Sequence, residues 1–179
     1  MKKIAILAAA AVLGISSAAS AQSVGEKTGV SSTFGISPTT TDFVKEAALN
    51  DMTEIAASKL GEERGNAEEK AFSAQMITDH TTTSTELKAL VSSGDVKAEI
   101  PAALDSSAQG KLDKLKAAKP DDFSPDFDSI QVSAHKNAVS LFERYAKGGE
   151  NPKLKDWAGK TLPHLQHHLE MAENVGKKK

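Results

Sequence analysis

Apolar residues recur every three to four positions along four long stretches of this chain, the spacing of one helix face at about 100° per residue. The first predicted helix covers 42–60, with Phe43, Val44, Ala47, Ala48, Met52 and Ile55 on its apolar face, Thr41 as N-cap and Gly61 as the stop. The second covers 66–93. It opens on Asn66 and Glu69 spaced as a capping box, carries Phe72, Met76, Thr83, Leu87 and Leu90 on one stripe, and closes at Gly94. A short helix at 106–117 offers Leu112 and Leu115 to cover one end of a core. Residues 120–124 read as a turn. Ser124 then caps a helix that begins at Pro125 and runs to 147, with Phe127, Ile130, Ala134, Ala138, Leu141, Phe142 and Tyr145 on one face. Asn151 and Pro152 open the last helix, to 175, with Leu154, Ala158, Leu165, Leu169 and Ala172 inward and a kink at Pro163. No stretch alternates with the period of a strand. The predicted fold is all-α: a four-helix bundle with one extra short helix.

Polar groups interrupt these stripes. His80, His135 and His168 fall on or beside the inward faces of three different long helices. Asp79 joins them from the second helix, and Glu54, with Asp51 near it, lies at the margin of the first. Burying such groups costs free energy unless they pair or bind something. Imidazole and carboxylate are the ligands of borderline and hard metals, and bundle interiors are where helical proteins build metal sites. His80, His135, His168, Asp79 and Glu54 are therefore the candidate ligands, converging on Asp79, for a transition metal such as Fe, Zn, Mn or Cu. The Glu-x-x-His motif of carboxylate-bridged two-metal bundles is absent: Ile77, Val132 and Leu165 stand three residues before the three histidines. His164 and His168 have helical ligand spacing, beside Pro163, whereas His167 points away. A buried polar network fixing the register of the bundle is the competing reading.

Composition adds a compartment. Lys2 and Lys3, an apolar run from Ile4 to Ile15 and the Ala19-Ser20-Ala21 ending make residues 1–21 a secretory signal peptide. Export to the periplasm or the medium follows. No later run approaches the length of a spanning helix, so the chain is not expected to cross a membrane after cleavage. Residues 22–40, rich in Ser, Thr and Gly, read as a flexible leader, 41–176 as the bundle and 177–179 as a basic tail. The 22 Lys and Arg stand against 24 Asp and Glu; without Lys2 and Lys3 the formal charge is −4, which argues against a nucleic-acid partner. There is no Cys, so disulfides and thiol chemistry are excluded. Gly25-Glu26-Lys27-Thr28 lacks the spacing of a phosphate loop, and no Ser stands in a nucleophile elbow.

The pattern resembles a family of exported bacterial proteins, domain of unknown function 4142, described as ferritin-like and labelled outer-membrane proteins. The matching residues are Phe43-Val44, Ala47-Ala48 and Glu54; then Phe72, Met76, Asp79-His80 and Leu87; then Gln131-Val132 and His135; then Leu162-Pro163, Leu165 and His168-Leu169. The family's aromatic-Asp pair before the fourth helix is Phe123-Ser124 here. The resemblance implies a ferritin-like bundle in the periplasm or cell envelope, with association to the outer membrane as one option, and no established reaction. An amphipathic helical chain lacks the strand pattern of an outer-membrane barrel. Two functions are carried forward: a non-catalytic binding or stress-linked envelope protein with an interior His and acid network, and a metal-binding, redox-capable protein built on the same cluster.

Overall fold

The computed structural model describes residues 35–175, in which all regular structure is helical. The helices are α1 (Thr40–Arg64), α2 (Ala67–Ser92), α3 (Ser106–Ala117), α4 (Pro120–Gly148) and α5 (Pro152–Val175). The expected signal peptide, most of the leader and the basic tail lie outside the described residues. No described helix is long and apolar enough to cross a membrane.

The four long helices pack as two hairpins, α1 with α2 and α4 with α5, joined by further contacts of α1 with α4 and α2 with α5. Side-chain contacts give the directions. Phe43, early in α1, stacks on Tyr145, late in α4, with ring centroids 4.1 Å apart. Gly61, late in α1, closes on Ser73 and Phe127, which are early in α2 and α4. α1 is therefore antiparallel to both, and α2 and α4 run the same way. The chain between them must travel the length of the bundle, and residues 93–119, with α3 inside them, are that crossover. One connection is thus long. Arg64 ties it down: its guanidinium donates to the carbonyls of Leu115 (2.9 Å), Lys116 (2.8 Å) and Ala118 (2.6 Å), satisfying the end of α3.

Several helix ends follow the sequence signals. Asn66 accepts from the Glu68 and Glu69 amides and Glu69 returns to the Asn66 amide at 2.8 Å. Asn151 caps α5 by accepting from Leu154 N at 3.0 Å. Others moved. α1 is capped by Thr39 and runs through Gly61 to Arg64. Gly61 is a close-approach position, since a Cβ there would sit 2.2 Å from Ser73 Oγ. α3 is capped by Asp105, whose side chain accepts from Ala108 N at 2.8 Å. α4 begins at Pro120, so the expected turn at 120–124 is helix and Pro125 lies inside it. Pro120 fits the first helical position as well as Pro125 does, and Asp121 and Asp122 favour the positive helix start. The bond lost at Pro125 falls on the carbonyl of exposed Asp121, which water can satisfy. Extending the helix buries Phe123, with the Arg64 guanidinium 4.4 Å above its ring. It also turns the Ser124 hydroxyl away from capping, to donate to Glu69 Oε2 at 3.0 Å.

The end of the expected leader is docked. Pro38 is buried, and Arg144 Nη1 donates to Ile36 O at 2.7 Å.

The core is split in two along the bundle. One apolar cluster holds Phe43, Leu87, Leu141, Phe142, Tyr145, Leu154 and Trp157. The other holds Phe72, Met76, Leu112, Leu115, Phe123 and Phe127. On every long helix the polar residues of interest fall between its contributions to the two clusters. The inward faces of α1 and α2 are interrupted there by charge, so their amphipathic contrast is weaker than that of α4 and α5.

Candidate metal centre

Between the two apolar clusters the four long helices bring a layer of polar side chains to the axis. α1 supplies Asp51 and Glu54, one turn apart; α2 supplies His80, α4 His135 and α5 His168. Glu54 and His135 are 0% exposed, His80 1% and His168 5%. The three imidazoles form a near-equilateral triangle, with centroid separations of 5.4, 5.4 and 5.6 Å. One ring nitrogen from each lies within 4.8 Å of the other two.

Each ring has one nitrogen engaged outside the triangle. His80 Nδ1 donates to Asp51 Oδ1 at 2.9 Å and lies equally close to Glu54 Oε2. His135 Nδ1 donates to the Gln131 carbonyl one turn earlier at 2.8 Å. His168 Nε2 donates to Asp79 Oδ2 at 2.9 Å. A neutral ring whose proton is committed to an outer acceptor presents a bare lone pair on its other nitrogen, whereas an imidazolium presents a second N–H. Those other nitrogens are His80 Nε2, His135 Nε2 and His168 Nδ1. The first two face each other at 3.4 Å. The third is buried without a hydrogen-bond partner.

Electrostatics polarise the cluster. Burial acts to lower the His80 pKa, but the Glu54 charge and the bonds to Asp51 and Glu54 outweigh it, and it rises to about 10. His80 is then an imidazolium whose second N–H, at Nε2, meets the His135 Nε2 lone pair. Burial acts to raise Glu54, yet the charges of His80 and His135 hold it below the usual carboxylate range. Asp51 is raised, with burial dominant over its bond to His80. His168 is pushed down to about 4 by burial and by the like charge on His80, in spite of Asp79, so it is neutral at physiological pH. Asp51 Oδ2 is held by the hydroxyls of Thr83 and Ser84, both at 2.9 Å. Glu54 Oε2 lies 2.9 Å from His80 Nδ1 and Oε1 3.5 Å from His135 Nδ1.

Of the expected ligands, His80, His135, His168 and Glu54 meet at one level. Asp79 does not sit at their centre as expected. It is a partly exposed residue touching only His168 within the cluster, because the helical rotation from His80 carries it to the edge of α2. Asp51, only a marginal candidate in the sequence, is buried against His80. The signal for it was the run Ala47, Asp51, Glu54, Ser58, which follows the buried line of α1, whereas Met52 and Ile55, expected inside, are only half-buried. The Gln131 carbonyl is a backbone group with no sequence signal. His164 and His167 are exposed.

No curated protein matches the chain, and no solved structure does. Residues 25–175 match a family described as Domain of unknown function (DUF4142). That match covers most of the sequence, and the chain belongs to this family.

Proposed function

We propose that this protein is an exported, non-catalytic metal-binding bundle of the periplasm or cell envelope, holding one transition-metal ion among His80, His135 and His168, with the Glu54 and Asp51 carboxylates behind the His80 ring. The observation that carries the reading is the set of unsatisfied inward atoms. A closed structural network would pair its members, since an unpaired buried polar atom costs about 1–3 kcal/mol. Here His168 Nδ1 lies buried without a hydrogen-bond partner, aimed at the same space as two ring nitrogens that face each other at 3.4 Å.

The donor set fits such an ion. Bond lengths of roughly 2.0–2.1 Å in a tetrahedral site put imidazole nitrogens about 3.3 Å apart, close to the 3.4 Å between His80 and His135. The outer acceptors Asp51, Gln131 O and Asp79 are the kind that orient metal-bound histidines. Imidazole nitrogen backed by carboxylates, with no thiolate, suits zinc, iron, manganese or copper. A bundle with one long crossover also has the connectivity of ferritin-like proteins, although the Glu-x-x-His motif of their two-metal sites is absent.

Elemental analysis of untagged protein purified from its native compartment tests the reading. One equivalent of a transition metal, lost in His80→Ala, is expected. Metal-free protein that takes up none from a stoichiometric mixture of the four metals would overturn it.

A further inference from the structure

The imidazole triangle is closed to solvent, so an ion needs a way in. A cleft of about 360 Å³ between α2 and α5 has His80 and His168 on its wall, together with Asp79, Thr82, Glu86 and His164. A second cleft of about 360 Å³, against α1, α3 and α4, is lined by none of the clustered histidines or acids. The α2–α5 cleft is biased toward cations. Asp79 and Glu86 line it, and its one ammonium, on Lys160, is 2.5 Å from Asp156 Oδ2. Both hydrogen bonds to Asp79 end on Oδ2, from Gln75 at 2.6 Å and His168 at 2.9 Å, leaving Oδ1 without a hydrogen bond from the described residues. His164 lies one turn before His168 on the same helix, and its ring is exposed. The cleft thus offers an outer carboxylate and an outer imidazole next to His168, the least buried of the three clustered histidines.

We propose that the cleft between α2 and α5 is the route by which a divalent cation reaches the buried imidazoles, with Asp79 and His164 as its first stopping point. The proposal rests on the metal-centre reading and adds the path to it. His164 holds the cation while it sheds water, and His168, four residues on, takes it over. Asp79 serves twice: its carboxylate on the cleft wall attracts an arriving cation, and its Oδ2 orients His168. His164 affects the rate of loading and not the final affinity, because the finished site does not include it.

Stopped-flow mixing of metal-free protein with Co(II) separates these quantities. The visible absorption of the ion and the fluorescence of Trp157, the chain's single tryptophan and a wall of the cleft, report loading. Equilibrium titration reports affinity. His164→Ala and the plugging variant Thr82→Phe, at an exposed position, are expected to load about tenfold more slowly, the low end of what a charged cleft adds to association rates, with affinity unchanged. His167→Ala, exposed and outside the cleft, should load like wild type. Wild-type loading rates in both cleft variants would overturn the entry route while leaving the metal centre in place. Failure of the wild-type chain to take up Co(II) at all would overturn both.

Discussion

Nε2 of His80 and Nε2 of His135 lie 3.4 Å apart in the middle of the bundle, with their Nδ1 atoms bonded away from each other. Two neutral rings held this way would oppose lone pairs, so a proton or a cation belongs between them. The charge on His80 supplies the proton when no metal is present. A metal ion displaces it, and binding therefore releases a proton near neutral pH.

The metal-free protein should be most stable near neutral pH and weaken on both sides. The unfolded chain protonates a histidine near 6.5, whereas folded His168 does so only near 4. Between those values the unfolded state holds more protons, and stability falls as the solution is acidified. Glu54, held below the usual carboxylate range in the fold, adds to the loss at still lower pH. Asp51, whose carboxyl is raised by burial, acts in the opposite direction and softens the acid limb. On the alkaline side His80 is decisive. Its stabilisation is complete below 6.5 and is lost as pH rises toward about 10, on the order of a few kcal/mol at ~1.4 kcal/mol per pH unit. Urea unfolding midpoints from pH 4 to 10 check this. A flat profile above 6.5 would contradict the charged state of His80.

Two helix glycines should respond oppositely to alanine. Propensity alone favours alanine inside a helix by ~1 kcal/mol. At Gly110 a Cβ meets nothing within 4 Å, so Gly110→Ala should gain up to about that amount. At Gly61 the added atom would lie 2.2 Å from Ser73 Oγ and 2.7 Å from the Phe127 ring. Overpacking of this kind costs ~1–3 kcal/mol and outweighs propensity. Thermal melts of both variants decide whether the close approach of α1 to α2 and α4 is as tight as described.

Much of this was legible beforehand, and the gaps have physical causes. Periodicity found all five helices, and the rotation of His80, His135 and His168 onto inward faces found the layer. The boundary of α4 was misread because Pro120 and Pro125 are both good first residues, and the choice depends on burial of Phe123 under Arg64, a contact between distant residues. Asp51 was underrated because charge lowers the apparent amphipathicity of the face it occupies. Asp79 was overrated because adjacency to His80 in sequence is about 100° of rotation in a helix. The Gln131 carbonyl leaves no trace in a pattern of side chains.

Asp79→Asn should weaken metal binding by about 10–100-fold, the usual effect of losing an outer carboxylate behind a ligating histidine. Asp79 is partly exposed and the fold needs little from it, so the far-ultraviolet circular dichroism should stay unchanged. Isothermal titration with Zn(II) reads the affinity. An undiminished affinity would mean that the Asp79 bond does not set the tautomer of His168.

The most direct test of the buried centre compares melting temperatures with and without a chelator. Bound ion stabilises the fold by mass action, about 2.7 kcal/mol at a hundredfold excess over Kd, which is several degrees for a domain of this size. The metal-loaded wild type and His167→Ala should both lose those degrees on chelation, whereas His80→Ala should melt lower and ignore the chelator. Wild type that melts at the same temperature with and without chelator, while His80→Ala is still destabilised, would make the cluster a structural polar network and contradict the metal centre.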